Sequence, residues 1–451
     1  MAYSVIETSD HYYLFAGATD YESWLVKTDI LGDTLWTKTF GGKDAYSVIE
    51  TSDQSYLLAG ASDYGPSGMD MTLVKTNSLG DTLWTYNCPM DFHEAAMQVI
   101  ETSEQNYLMV GRQSSFSRDD AGVMAKTDSE GSLIWTRTFD GADDDGIYSI
   151  VEAEDQGYAC VGYTYSSGGG GSDFWLIKTD SQGNTQWTQT YGGPNDEFAH
   201  SIIKTTDQCY LIAGSTSSFG EGNKDLWLVK TDSLGNELWT RTFGGVEEDR
   251  GLSLIETTDH SYIVTGYTKS YGVYGFYRKN VWLIGTDTQG ALQWMQLYGA
   301  NGDDGAYSVT ETNDHGFLMA GYTDSFGDDS QAWLIKTDSL GTSPANYYLS
   351  INPKGESYQP ISLVLSTFPN PTNLNCTIFY SLPRTDNIMI TIHDLLGAKI
   401  FSHATGELSA GQQFYTWSLV SNDGEDLPTG IYLLQLNGKY HRGSSKILLI
   451  K

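Results

Sequence analysis

From its start to residue 345 the chain alternates short apolar, β-branched-rich runs with turns of Gly, Asp and Ser. The pattern is clearest after Gly146. Tyr148 to Glu152 is a first run, closed by Glu154-Asp-Gln-Gly157, and Tyr158 to Thr164 is a second, followed by a Gly/Ser loop from Ser166 to Ser172. Phe174 to Thr179 is a third, closed by Asp180-Ser-Gln-Gly183, and Thr185 to Tyr191, centred on Trp187, is a fourth. Four such runs between turn residues predict a four-stranded antiparallel meander. No segment carries a 3.6-residue apolar period, so helices are expected to be nearly absent.

The unit recurs. Val-Lys-Thr-Asp or a close variant begins at Val26, Val74, Ala125, Ile177, Val229, Ile284 (with Gly285 replacing the Lys) and Ile335. Gly and then Trp follow at Gly32/Trp36, Gly80/Trp84, Gly131/Trp135, Gly183/Trp187, Gly235/Trp239 and Gly290/Trp294. A repeat of about 50 residues marks a propeller, solenoid or array. A lone four-stranded sheet exposes both faces, and radial stacking buries them, which is the propeller solution. Five further Trp (Trp24, Trp175, Trp227, Trp282, Trp333) share one place in the third run, and only Trp417 of the twelve lies elsewhere. A large aromatic at one register is read as packing between blades.

The expected fold is therefore all-β: a seven-bladed β-propeller of four-stranded meander blades over residues 1–345, then a linker (346–366) and a small Ig-like β-sandwich (367–451). The strand order over the repeats resembles kelch-type propellers. The double Gly, however, follows the outer strand (Gly41-Gly42, Gly192-Gly193, Gly244-Gly245). The seventh unit lacks a Trp strand after Gly341; the strand completing it would lie upstream of Met1, or Tyr347 to Ile351 substitutes. Ala2 to Glu7 repeats the string at Ala45 to Glu50, so the chain starts inside a repeat and without a signal peptide, as a truncated N-terminus would.

Charge separates the tail from the repeats. The formal net charge is -32, yet from Thr367 onward six acidic residues balance six basic ones. So acidic a repeat region is expected to bind no nucleic acid. No apolar run reaches membrane-spanning length. Four cysteines at unrelated positions offer neither a zinc site nor a disulfide framework; Cys160 and Cys209 are read as buried thiols.

In a meander propeller the loops after the second and fourth strands share one face. The fourth-strand exits are acidic, with Asp44, Asp143 to Asp145, Asp196, Glu197, Glu247 to Asp249, Asp303 and Asp304. The second-strand exits carry Tyr64, Phe116, Tyr165, Phe219, Tyr271, Tyr274 and Phe326. Asp143, Asp144, Asp145, Asp303 and Asp304 are candidate Ca²⁺ ligands; the plainer reading is turn capping by Asp and edge sealing by the aromatics. The longest exit, Ser270 to Asn280, makes Tyr271, Tyr274, Phe276, Tyr277 and Arg278 the candidate contacts to a protein or glycan ligand. GxSxG, P-loop, HExxH and post-strand GxGxxG motifs are absent, and His11, His260 and His315 follow a turn Asp. No catalytic residue and no cofactor other than Ca²⁺ is expected.

The tail carries Pro369-Asn370-Pro371, Ile392-His-Asp394 with Gly397, Ala410-Gly411, Leu427-Pro-Thr-Gly430-Ile-Tyr432 and a closing Lys446 to Lys451. Together these resemble the type A C-terminal sorting domain of the type IX secretion system of Bacteroidetes-like bacteria. Gly397 and Gly430 are expected at turn positions with φ > 0. The resemblance implies export by the type IX machinery to the outer-membrane surface or beyond. The function expected is a secreted or surface-displayed binding or scaffold propeller. A carbohydrate-active enzyme using loop-face acids and a calcium-dependent adhesin are the alternatives.

Overall fold

The computed structural model describes the chain except residues 20–21, 31, 43, 66–67, 89–92, 116–117, 272–277, 326–329, 344–349, 352–356, 359–363, 369–375, 383–385, 395–396, 409–410, 423–425, 439–441 and 450–451. The described residues are all-β, without helix. Ala2–Glu7, Tyr13–Ala18, Ser23–Thr28 and Thr34–Phe40 pair antiparallel in that lateral order. Five more sheets repeat it, the last running from Asp249–Glu256 out to Leu292–Tyr298. A seventh holds Asp304–Glu311, Phe317–Thr323 and Gln331–Lys336, with Ile351 opposite Ala332 on its outer side.

Each inner strand neighbours the inner strand of the next sheet, and Asp304–Glu311 returns to Ala2–Glu7. The sheets thus form a closed β-propeller ring. At the return seam the Val5 amide donates to Ser308 Oγ at 3.2 Å, and the Asn313 amide donates to Glu7 Oε2 at 2.8 Å. Closure uses side-chain bonds and packing between whole sheets.

The apolar pattern follows from this stacking. Sheets sandwiched on both faces bury the middle strands entirely, so these read as unbroken apolar runs: Tyr210–Thr216 and Asp225–Thr231 are buried throughout. Outer strands face solvent and read as mixed. One core cluster joins Leu57, Met71 and Leu73 of the second sheet to Val99, Met109 and Val123 of the third.

Three side chains repeat at the seams. The third-strand lysine donates to a turn carboxylate of its own sheet and to a tyrosine of the next: Lys230 Nζ lies 2.6 Å from Asp207 and 2.8 Å from the Tyr262 hydroxyl. Lys27 with Asp10 and Tyr56, and Lys75 with Asp53 and Tyr107, do the same. Where Gly285 replaces the lysine, the next sheet has Phe317 instead of Tyr, and a Cβ on Gly285 would run into the Trp294 ring. Each outer-strand Trp rests on the following sheet's turn glycine: a Cβ on Gly80 would lie 2.8 Å from Trp36, and Gly80 holds φ 79°. That glycine is required twice, by its left-handed backbone and by the indole above it.

The tail is a separate two-sheet sandwich. Val364–Phe368, Cys376–Leu382 and Gly411–Trp417 form one sheet; Lys399–Leu408, Asp386–His393, Gly430–Asn437 and Arg442–Leu449 form the other, in those lateral orders. Its core holds Ile378, Ile390, Trp417, Leu434 and Ile447. Gly397 takes φ 83° in the turn after Asp394. Gly430 does not have the positive φ expected from its sequence: it opens a strand opposite Leu449 and needs no left-handed backbone there.

Candidate functional site at the axial mouth

Every fully paired inner strand skips one residue against its neighbour. The skipped residues are Tyr3, Tyr46, Met97, Tyr148, His200, Leu252 and Tyr307. A bulge frees its extra residue from the ladder and re-aims the side chain. Here the bulges aim at the ring axis, where side chains of successive sheets meet. Tyr3 lies 5.0 Å from Tyr46 and 5.3 Å from Tyr307, ring to ring, and Tyr148 lies 5.4 Å from His200.

Above this layer, toward the loops, stand the residues that follow the second-strand glycines. Tyr163 packs 5.8 Å from Tyr148 and 5.1 Å from Phe198, and Tyr322 packs 5.7 Å from Tyr307. Tyr165 caps the group 6.0 Å from Tyr163, with its side chain exposed. Cations border the same rings. Lys224 Nζ sits 4.8 Å over Phe198, and Lys279 Nζ 4.5 Å over Tyr267. Arg250 also borders Tyr267, at 5.8 Å.

The second- and fourth-strand exits that frame the mouth are laced together across sheets. The amides of Glu197, Asp249 and Asp304 donate to the carbonyls of Ser172, Lys224 and Lys279. Glu248 accepts from Arg250 at 2.6 Å, from Lys269 at 2.7 Å and from the Tyr267 hydroxyl at 2.8 Å. Burial alone would raise its pKa, but these cations hold it down to about 2. Burial, then the Arg250 and Lys224 charges, hold His200 near 3, so its ring is neutral. Burial, then Arg250, also lowers the Lys224 pKa, against attraction from Asp196, Glu248 and Glu197.

The acidic exits divide. Asp145 and Asp304 are buried hubs: Ser166 Oγ donates to Asp145 at 2.9 Å, while Asp304 accepts from Thr323 Oγ1, from Ser325 Oγ at 2.6 Å and from the Ala300 amide at 3.1 Å. Asp303 lies 3.8 Å from Arg278 and accepts from the Lys279 amide. Asp143 and Asp144 are exposed and gather with Asp119, their oxygens within 4.8 Å of one another. Bound through one oxygen each, three such carboxylates would supply at most half of the six to eight oxygens Ca²⁺ takes.

Of the contact candidates, Tyr271 is spent on the fold. Its ring stacks on Trp282 at 6.3 Å, and its hydroxyl donates to the Gly244 carbonyl at 2.6 Å. Arg278 is exposed beside Asp303, whereas Tyr274, Phe276 and Tyr277 lie outside the described residues. At the outer rim, Tyr191, Phe219, Trp227, Glu237 and Arg241 line a cavity of ≈ 470 Å³. His11, His260 and His315 take positive φ at the opposite turns.

In the tail, Asp394 Oδ1 accepts from the Ala398 amide at 2.8 Å, and the Tyr432 hydroxyl donates to the Pro428 carbonyl at 2.8 Å. Gly411 pairs with Leu382. Pro369, Asn370, Pro371 and Lys451 lie outside the described residues.

Residues 366–451 match the secretion system C-terminal sorting domain. No curated protein matches the sequence. Among solved structures, the Dos1 propeller aligns at 12% identity and TM-score 0.46, over 76% of this chain and 78% of that one. PorZ, a surface component of the type-IX secretion system of Porphyromonas gingivalis, aligns at 9% identity and TM-score 0.39, over 98% and 69%. A puromycin hydrolase aligns at 11% identity and TM-score 0.43, over 84% and 58%.

Proposed function

We infer, from the secretion system sorting domain at 366–451, that this is an exported or surface-displayed propeller that binds a ligand at its axial mouth and is not an enzyme. The observation that carries the binding role is a contrast between seams and axis. The seams repeat lysine, carboxylate and tryptophan from sheet to sheet, as structure demands. The bulge positions vary between Tyr, Met, His and Leu, and on one side of the axis aromatic rings and cations converge on the loop face. We read the two-sheet tail as Ig-like and as the part handed to the export machinery.

Two experiments test this. Deleting 366–451 from the exported protein should leave a folded ring that no longer reaches the cell surface; unchanged surface appearance would remove the tail's sorting role. On arrays of glycans and proteins, Tyr165→Ala should abolish binding by the purified chain, whereas Phe219→Ala at the rim should not. Binding indifferent to Tyr165→Ala would move the ligand away from the mouth.

A further inference from the structure

We propose that the axial mouth takes an acidic carbohydrate, a sugar ring bearing a carboxylate, between Arg112, Lys224, His200 and the tyrosines around them. The proposal rests on the binding role above and names the ligand's chemistry.

Among 25 basic residues against 57 acidic ones, the third-strand lysines of the first five sheets are almost wholly enclosed and tied to carboxylates. Lys27 pairs with Asp10, Lys75 with Asp53, Lys126 with Glu104, Lys178 with Asp155 and Lys230 with Asp207, all within 2.9 Å. Arg250 and Lys269 share Glu248. Lys224 departs from this rule: it is half-buried, lies over the Phe198 ring and has no ion pair among the described residues. The Arg250 charge acts against it. Arg112, at the same mouth, likewise has no ion pair among the described residues, and its field reaches Tyr46, Tyr148 and Tyr163. Asp196, Glu248 and Glu197 attract Lys224 from beyond ion-pair distance, and a half-buried cation left without a direct partner costs free energy. An anion seated at Lys224 removes that cost.

The walls specify more than charge. His200 Nε2 is buried with no hydrogen-bond partner, and the ring against Tyr148 is neutral, so it can pair with a ligand oxygen. Tyr163, Tyr165 and Phe198 form one aromatic surface, with Tyr165 39% exposed at its edge. Such a surface suits the apolar face of a sugar ring, and Arg112 offers the paired donors that match a carboxylate. Asp120 and Asp144, whose fields reach Tyr163, are acceptors suited to sugar hydroxyls. A bare inorganic anion would leave the rings unused, and a neutral sugar would leave Lys224 without a direct ion pair.

The probes are tetragalacturonate and its fully methyl-esterified form, the same sugar without its charges, titrated calorimetrically into the full chain. Tetragalacturonate should bind, weaken with added salt and lose about tenfold in affinity with either Lys224→Gln or Arg112→Gln, the size of one exposed-to-half-buried charge contact. The ester should bind at least that much more weakly. Both variants remove the charge while leaving a polar side chain, thermal melts confirm their folding, and the salt series needs no variant. Equal binding of acid and ester overturns the proposal but keeps a sugar-binding mouth. Absence of acid binding also overturns it; the binding role itself then stands or falls with the Tyr165→Ala array experiment. Acid binding unchanged in both variants places the carboxylate elsewhere and overturns the site.

Discussion

Asp225 shows what a single buried carboxylate does at these junctions. It is 1% exposed, accepts from the Gly222 amide at 3.2 Å, and is raised to about 6 by burial, with Asp249 and Glu221 adding repulsion. A raised carboxyl favours the protonated native state, so its contribution is full below the ordinary carboxylate range and is lost as pH rises through 6. Asp225→Asn should therefore raise the melting temperature at pH 7.5 by about 2–4 °C, a gain near 1 kcal/mol, and change little at pH 4. Equal melting shifts at both pH values would refute this. The sequence showed that the loop exits are acidic. It could not separate exposed Asp143 and Asp144 from buried Asp145, because the difference lies in Ser166 folding back from the next loop to Asp145.

Between elements, the repeated lysine is the joint. Lys230 reaches its own sheet's turn and the next sheet's tyrosine, so removing it strands two polar groups at one seam. Lys230→Met should cost about 1–3 kcal/mol in denaturant melts. Combined with Tyr262→Phe it should cost less than the sum of the two, since both remove one hydrogen bond; strict additivity would mean the contact contributes nothing. The seams also set the acid limit. Burial alone would raise Asp53 and Asp207, but the bonded lysines bring both below the ordinary carboxylate range. That stabilisation is present above the ordinary range and is lost as pH falls through the lowered values, the opposite sign to Asp225. These joints were half legible. Val-Lys-Thr-Asp recurs visibly, but its partners sit about twenty residues back and thirty ahead, where no local pattern links them.

At the scale of the whole ring, one seam joins sheets that are far apart in the sequence, Asp304–Glu311 against Ala2–Glu7. Glu7 accepts both the amide and the side-chain amide of Asn313, as Glu50 accepts from Ser9 and Glu101 from Ser52 at seams the chain crosses. The bonds match, but their consequences do not. Glu7→Ala should speed amide hydrogen exchange in both Ala2–Glu7 and Asp304–Glu311, whereas Glu101→Ala should leave exchange near its seam close to wild type. The reason is that a broken seam reopens more readily between sheets distant in sequence than between sheets joined by a short loop. Similar exchange in both variants would show that closure is no weaker than the other junctions.

The sequence by itself determined the repeat, the meander, the buried middle strands and the sorting tail, because each is written in local periodicity or in a contiguous motif. Hydrophobic alternation and turn glycines act over a few residues, and those few residues are adjacent in the chain. What only the tertiary structure decided is the axis. Arg112, Tyr148, Tyr163, Phe198, His200 and Lys224 come from three sheets, one or two positions from each strand or loop. They meet because bulges and ring closure turn residues some fifty positions apart toward one point. No window along the chain contains that meeting, since it is made by the curvature of the stack and not by any one of its sheets.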